Sequence, residues 1–160
     1  MTEEAVFAAG CFWGIEAAFR KVKGVVDTTV GYCGGHVAAP SYKDVCTGKT
    51  GHAESVRVVF DPTAVSYNEL LEVFWRIHDP CSRNQQGPDV GTQYRSVIFY
   101  TDEDQRREAL LSRDRLNHQN VCGGCPVATE IRPASEFYIA EEYHQRYHEK
   151  HGVRTVSCPL

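Results

Sequence analysis

Residues 5–24, AVFAAGCFWGIEAAFRKVKG, decide the fold of this chain. The continuous apolar run from Ala5 to Ala9 predicts a buried strand, and Gly10 ends it. Apolar side chains then recur at steps of three and four residues, which predicts a helix that stops at Gly24. These helical positions are Ile15, Ala18, Phe19 and Val22. The sequence therefore predicts a strand and a helix joined by a tight connection.

Similar patterns predict the other elements. Alternating or continuous apolar residues predict strands at 26–32, 54–60, 96–100 and 128–132. Periodicity and capping residues predict three helices, which run from Ser66 to Asp79, from Thr101 to about Asn117 and from Ile139 to Lys150. Residues 31–51 are rich in Gly, Ser and Thr and predict mostly loop, as does the stretch that ends at Tyr94.

Helices alternate with strands, except that no helix is predicted between strands 26–32 and 54–60. The sheet should therefore be mixed rather than wholly parallel. We expect one domain, residues 1–160, of the α/β (α+β) class. Its predicted architecture is a two-layer sandwich with a mixed sheet, a ferredoxin-like core and an irregular, mobile C-terminal tail at 151–160.

The composition is that of an ordinary globular protein. Of the 160 residues, 42% are hydrophobic and 24% are charged, which argues against disorder, collagen and coiled coil. The net charge of −4 disfavours a nucleic-acid partner or an anionic membrane surface. No apolar run is long enough to span a membrane, and the N-terminal MTEE lacks the basic flank of a signal peptide. We expect a cytoplasmic protein, and nothing demands more than a monomer.

The seven cysteines are the one unusual number in the composition. Because cytosolic thiols are kept reduced, so many cysteines suggest catalysis, metal binding or buried apolar packing. Composition alone does not choose among these three roles.

Cys11 is the first candidate for chemistry, because it lies where the predicted strand ends and the helix begins. The free N–H groups and the positive dipole end of a helix favour a thiolate, and a lowered pKa makes a cysteine a nucleophile. Phe12 and Trp13 could form an apolar cup beside it, between Gly10 and Gly14. The same residues also fit a buried cysteine with two core aromatics, and both interpretations remain open here.

Glu54, in the segment GHAESV (51–56), is the second candidate. A carboxyl at the entrance of an apolar strand can be desolvated, which would raise its pKa and leave it protonated as a proton donor. An exposed glutamate at a strand end is the alternative.

The third candidate is the loop GPDVGTQYRS (87–96), which is full of hydrogen-bonding groups just before a strand. Loops on a rigid scaffold often carry binding residues. A simple turn, in which Asp89 bonds its own backbone, is the alternative.

Four segments together resemble the peptide methionine sulfoxide reductases of the A class. They are GCFWG (10–14), YKDVCTG (42–48), GHAE (51–54) and GTQYRS (91–96), and they occur in the order and spacing of that family. Two later segments also resemble it, FYIAEEYHQ (137–145) and VSCP (156–159). The resemblance covers the chain from about Phe7 to Pro159.

The resemblance implies reduction of methionine S-sulfoxide, free or in oxidised proteins, to methionine. Cys11 would attack the sulfoxide sulfur, and Glu54 would protonate the departing oxygen. Tyr42 and Tyr94 would hold and polarise that oxygen, and Asp89 would help to order the site.

The resemblance also implies a methyl pocket and a recycling route. Phe12 and Trp13 match the pocket for the terminal methyl of the substrate. Cys11 would be left as a sulfenic acid that condenses with Cys158, the match to the resolving cysteine. Thioredoxin would then reduce the Cys11–Cys158 disulfide, and neither a metal nor a bound cofactor is required.

Several cysteines fall outside the family pattern or have no role in it. Cys122 and Cys125, in CGGC (122–125), could be two loop thiols, an auxiliary disulfide or half of a zinc site, in that order. Cys81 is also an extra residue, and we interpret Cys33 and Cys46 as packing residues.

His144, His148 and His151 fall at helical spacing and could resemble a metal face. Because charged residues surround them, we predict instead a solvated helix face. Tyr143 and Tyr147 would then form the buried stripe of that helix.

Two other functions compete with the reductase. One is a metal-binding, zinc-ribbon-like module on Cys122 and Cys125. The other is an acyl-transfer hydrolase that pairs Cys11 with His52 or His78. Neither explains the spacing of the four matched segments.

Overall fold

The computed structural model describes residues 1–151, so positions 152–160 of the predicted tail, which include Cys158, lie outside the described residues. Within that range there are eight strands and five α-helices. The strands are β1 (Glu3–Ala9), β2 (Val25–Cys33), β3 (Ala53–Phe60), β4 (Gln85–Gln86), β5 (Asp89–Val90), β6 (Ser96–Tyr100), β7 (Glu130–Pro133) and β8 (Tyr138–Ile139). The helices are α1 (Phe12–Arg20), α2 (Tyr42–Cys46), α3 (Tyr67–Arg76), α4 (Glu103–His118) and α5 (Tyr147–His151). No helix among residues 1–151 is long and apolar enough to cross a membrane.

The sheet contains the β-α-β-β-α-β pattern of a ferredoxin-like core. Strands β6, β1, β3 and β2 lie side by side in that order, and each pair is antiparallel. Strand β7 adds to β6 in parallel, and β8 adds to β2 in antiparallel orientation, which completes a mixed sheet of six strands. The predicted mixed sheet and ferredoxin-like core are therefore confirmed.

Strand β1 is buried on both faces, as its continuous apolar run predicted. Phe7 points to the helices, and its ring stacks on Phe19 of α1 at 5.1 Å and on Phe74 of α3 at 5.2 Å. Because side chains alternate along a strand, Val6 and Ala8 point to the opposite face, where they pack in a smaller apolar cluster. The main core lies between the sheet and the helical layer, in the predicted two-layer arrangement.

Capping residues set the beginnings of the helices. Ser66 and Glu69 form the predicted capping box of α3. Ser41 and Asp44 form a second box that opens α2, inside the stretch predicted as mostly loop. The predicted cap of α4 is wrong by one residue, because Asp102 rather than Thr101 accepts the N–H of the first turn.

The predicted helix from Ile139 to Lys150 is wrong. Its first residues pair with β2 as strand β8, a single 3₁₀ turn spans Glu142–His144, and only the last residues form α5. The side chain of Gln145 bonds both backbone groups of Val30, at 2.9 Å each, instead of continuing a helix. Arg146 then turns to a φ of +51°. Tertiary contacts therefore override the local helical pattern.

Candidate active site

Cys11 lies at the junction of β1 and α1 and is the N-cap residue of that helix. Gly10 makes the junction with a φ of +107°, and a Cβ on it would lie 2.9 Å from the side chain of Gln86. Only glycine therefore fits before the cysteine. Cys11 is half-buried and disulfide-bonded in this structure, and it lies at the N-terminus of α1, the position that the sequence predicted.

Glu54 of β3 lies next to this junction, because β3 pairs with β1. Its Oε1 accepts a hydrogen bond from the backbone N–H of Phe12 at 3.2 Å. The side chain is almost fully buried, with the residue 1% exposed. Burial is the main cause that raises the pKa of Glu54 to about 8; the negative charge of Asp89 acts in the same direction, and the hydrogen bond from Phe12 opposes it. The carboxyl therefore keeps its proton at neutral pH.

Two tyrosines from different elements share this environment. Tyr42 begins α2, and Tyr94 lies in the 3₁₀ turn Thr92–Tyr94. Burial raises the pKa of both hydroxyls, and the charge of Glu54 acts in the same direction on each. Both hydroxyls remain protonated at neutral pH and can donate hydrogen bonds.

Asp89 belongs to the β4–β5 hairpin, where it pairs with Gln86. It is half-buried, and its charge raises the pKa of both Glu54 and Tyr94. The side chain of Gln86 packs over Gly10. The β4–β5 hairpin therefore holds Asp89 near Glu54 and holds Gln86 against Gly10, the residue before Cys11.

Phe12 and Trp13 supply a buried aromatic wall directly after Cys11. The ring of Phe12 lies 6.4 Å from that of Tyr42 and 5.1 Å from that of His144. Trp13 stacks on Tyr147 at 3.7 Å. The wall thus faces the first residue of α2 on one side and the C-terminal segment on the other.

The sequence missed two residues that hold this wall. His144 is buried, and its Nδ1 accepts a hydrogen bond from Trp13 Nε1 at 2.9 Å. Burial lowers the pKa of His144 to about 4, so the ring is neutral and able to accept. Glu141 accepts from the backbone N–H of Tyr42 at 2.9 Å and from the Tyr32 hydroxyl at 2.8 Å.

The predicted solvated histidine face and buried tyrosine stripe are therefore wrong: of the three histidines only His151 is exposed, and Tyr147 is half-buried. His144 points inward, whereas Tyr143 is 57% exposed. The reason is that residues 142–144 form a 3₁₀ turn before α5 begins, so the side chains do not follow one helical face. The signal for both missed residues was the segment 137–145, which carried part of the family resemblance.

The other cysteines differ in their surroundings. Cys33 is buried and contacts Ser135, which agrees with a packing role. Cys46 is a half-buried free thiol whose side chain is hydrogen-bonded to Tyr42. Burial raises its pKa, and the charge of Glu54 adds to this. Cys46 therefore contacts a residue of the candidate active site, Tyr42, in addition to packing.

The CGGC segment holds neither two loop thiols nor a disulfide between its own cysteines. Cys122 is bonded to Cys81, with 5.5 Å between their Cα atoms, and Cys125 is a free, exposed thiol. Among residues 1–151, no group of three or more His, Cys, Asp or Glu side chains could hold a metal ion.

The two histidines of the hydrolase hypothesis use both ring nitrogens elsewhere. The His52 ring contacts the backbone of Gly35 at 3.0 Å and of Val37 at 2.7 Å. The His78 ring contacts Phe74 O at 2.6 Å and Ser96 Oγ at 2.7 Å, and burial lowers its pKa to about 4. Neither ring is arranged as a base for Cys11.

A thiol ionised by a helix terminus can take up an oxygen atom, and a neighbouring acid that keeps its proton can protonate that oxygen. This is the chemistry of a thiol-dependent oxidoreductase. A sequence model of the family "Peptide methionine sulfoxide reductase" matches residues 3–159, and the chain belongs to that family. It is an enzyme that reduces methionine sulfoxide.

Similar proteins agree with this assignment. The peptide methionine sulfoxide reductase MsrA of Methanosarcina acetivorans is 63% identical over 94% of this chain and 79% of its own. The crystal structure of reduced Mxr1 from Saccharomyces cerevisiae is 39% identical, covers 99% of this chain and 90% of its own, and has a TM-score of 0.89. Mxr1 in complex with Trx2 is 28% identical over 91% of this chain and 84% of its own, with a TM-score of 0.63.

Proposed function

We propose that this protein reduces methionine S-sulfoxide, free or in oxidised proteins, with Cys11 as nucleophile, Glu54 as acid and Cys158 as resolving thiol. The single observation that carries the proposal is the position of the Glu54 carboxyl. It is buried, it is protonated at neutral pH, and it is bonded to the backbone N–H of the residue that follows Cys11.

Cys11 attacks the sulfoxide sulfur as a thiolate, favoured by the N-terminus of α1. The S–O oxygen receives the proton of Glu54 as the S–O bond polarises, while the hydroxyls of Tyr42 and Tyr94 hold it. The oxygen passes to the cysteine sulfur and methionine leaves with the electron pair. The balance is one thiol and one sulfoxide converted into one sulfenic acid and one thioether.

The aromatic wall accounts for the choice of stereoisomer. Phe12 and Trp13 offer an apolar surface that suits the terminal methyl group and rejects the oxygen. Glu54 and the two tyrosines offer the polar side. A sulfoxide of the opposite configuration would exchange these two substituents, so its oxygen would meet the aromatic rings. Asp89 helps to order the polar side through its charge.

The sulfenic acid then condenses with the thiol of Cys158, which forms a Cys11–Cys158 disulfide and releases water. A thioredoxin dithiol reduces this bond by thiol exchange. The complex of yeast Mxr1 with Trx2 supports thioredoxin as the reductant. We further propose that residues 1–160 form one domain that acts as a cytoplasmic monomer without a metal or cofactor. The net charge of −4 supports the absence of a nucleic-acid partner.

Single-turnover release of methionine, with thiol counting before and after, tests these roles. Cys11→Ser should release no methionine. Cys158→Ser should release about one methionine per protein but should fail to turn over with thioredoxin, because the sulfenic acid has no resolving thiol. Cys125→Ser, which removes an exposed thiol, is the matched control and should behave as wild type. Activity in Cys11→Ser, or full thioredoxin-driven turnover in Cys158→Ser, would contradict the assignment.

A further inference from the structure

We propose that Cys81, Cys122 and Cys125 form a second thiol–disulfide exchange site, on which dithiol reductants act. This site is separate from Cys11 and does not depend on the proposed catalytic roles. It consists of one disulfide, Cys81–Cys122, and one free thiol three residues further along the chain, Cys125.

The backbone of Cys125 lies close to that of Cys122. The backbone N–H of Cys125 donates to the carbonyl of Cys122 at 3.3 Å, so a tight turn brings the two residues together. Gly123 and Gly124 form this turn with φ values of +62° and +96°. A Cβ added to either glycine would meet nothing within 4 Å, so the space around the turn is open. The two glycines therefore leave this turn uncrowded, and we infer that the Cys125 side chain can rotate toward Cys122.

The exchange balances without any added oxidant. The thiolate of Cys125 attacks Sγ of Cys122, the Cys122–Cys125 bond forms, and the Cys81–Cys122 bond breaks. Cys81 leaves with the electron pair and takes up the proton that Cys125 lost. A dithiol reductant then transfers two electrons to the Cys122–Cys125 bond. That bond is easier to reach because Cys125 is exposed, whereas Cys81 and Cys122 are both half-buried.

The disulfide ties the loop that carries Asp89 to the turn that follows α4. Cys81 follows Asp79, whose Oδ1 accepts the Cys81 N–H at 2.9 Å. Asp79 exchanges two backbone hydrogen bonds with the side chain of Gln86, at 2.9 and 2.7 Å, and Gln86 packs over Gly10. Exchange would break the covalent anchor of the loop at 79–91, which carries Asp89. The hydrogen bond from Ala128 N to Pro80 O would remain.

The test uses a Cys11→Ser, Cys158→Ser protein, so failure of the catalytic proposal cannot affect the result. The oxidised protein is held at about pH 8, quenched with acid, alkylated and mapped by mass spectrometry. We expect two isomers, Cys81–Cys122 and Cys122–Cys125, with Cys81 alkylated in the second. Adding Cys125→Ser should leave only the first isomer.

Dithiothreitol reduction gives a second readout. Because dithiothreitol reaches a bond to the exposed Cys125 more easily than the half-buried Cys81–Cys122 bond, the Cys125→Ser change should slow reduction severalfold at about 0.1 mM dithiothreitol. Alkylation of Cys125 in the folded protein should do the same, and Cys46→Ser is the control without effect. Equal reduction rates with and without Cys125, or a Cys81 that is never alkylated before reduction, would overturn the proposal.

Discussion

Replacing Glu54 with glutamine should separate stability from catalysis. Glutamine keeps the shape of the side chain and an oxygen that can accept the Phe12 N–H, now bonded at 3.2 Å. It cannot ionise, and its amide is too weak an acid to protonate a departing oxygen. We expect Glu54→Gln to lose methionine release and, at alkaline pH, to resist unfolding better than wild type.

The magnitude follows from the shift in pKa. Burial raises the pKa of Glu54 from 4.5 to about 8, so between these values the folded protein holds a proton that the unfolded chain has lost. The resulting stability is fully present below about pH 4.5 and disappears as the pH rises through about 8. At about 1.4 kcal/mol per pKa unit, wild type loses about 5 kcal/mol across this range through Glu54. Glu54→Gln loses none of that part.

The assay is urea unfolding followed by tryptophan fluorescence, at about pH 5 and about pH 9, with all disulfides reduced in both proteins. The quantity of interest is the change in the free energy of unfolding between the two pH values, compared between wild type and variant. Glu72→Gln, which removes an exposed carboxyl from α3, is the matched control and should follow wild type. Methionine release in a single turnover reports catalysis on the same samples.

One outcome would refute the reasoning. If wild type and Glu54→Gln lose the same free energy between the two pH values, Glu54 ionises normally in the folded protein. The raised pKa would then be absent, and the carboxyl could not serve as the acid at neutral pH.

Four further predictions follow from the site and the fold. Steady-state turnover of wild type should fall about tenfold per pH unit above about pH 8, as Glu54 loses its proton; a flat profile to about pH 9.5 would contradict this. Tyr94→Phe should slow single-turnover methionine release on the order of 10²-fold, because one oxygen-holding donor is lost. Replacing Cys81 and Cys122 together with alanine should lower the free energy of unfolding by about 4 kcal/mol, since the bond closes a separation of 41 residues; an unchanged urea midpoint would argue against this. Asp102→Ala should cost about 1 kcal/mol in the same assay by removing the cap of α4, whereas Asp114→Ala, in the interior of that helix, should not.

Local patterns predicted the centre of the fold well. The apolar run of β1, the alternation in β2 and β3 and the capping box of α3 are all decided by residues close together in sequence. Such local patterns predict correctly because the apolar residues that form them are the same residues that pack in the core. Strand β8 carried no comparable signal, since two residues are too few to show a period.

The sequence predicted individual residues of the site, but it did not predict which of them lie close together. Cys11 and Glu54 were each candidates from their position at an element's end, but their proximity depends on the pairing of β1 with β3. From the sequence, only the family resemblance assigned Cys11 and Glu54 to the same site. The inward turn of His144 depends on contacts with Trp13 across 131 residues, which no local pattern encodes.

The cysteines show the same limit most clearly. The sequence predicted Cys122 and Cys125 as two loop thiols first and as a disulfide only second, whereas the structure joins Cys122 to Cys81, 41 residues away. A pairing of cysteines reports the approach of two loops in space, so composition and spacing could only offer alternatives.

The bonds between Gln145 and Val30 have a consequence for behaviour at high concentration. β2 runs along the border of the sheet beyond its two-residue pairing with β8, and an open border invites pairing with another polypeptide. The carboxamide of Gln145 occupies both backbone groups of Val30 there, as a neighbouring strand would. The Ala140 N–H also donates to the Val30 carbonyl, at 3.0 Å, so Gln145 is one of two groups that cover this stretch of β2, and Gln145→Ala should precipitate sooner on storage.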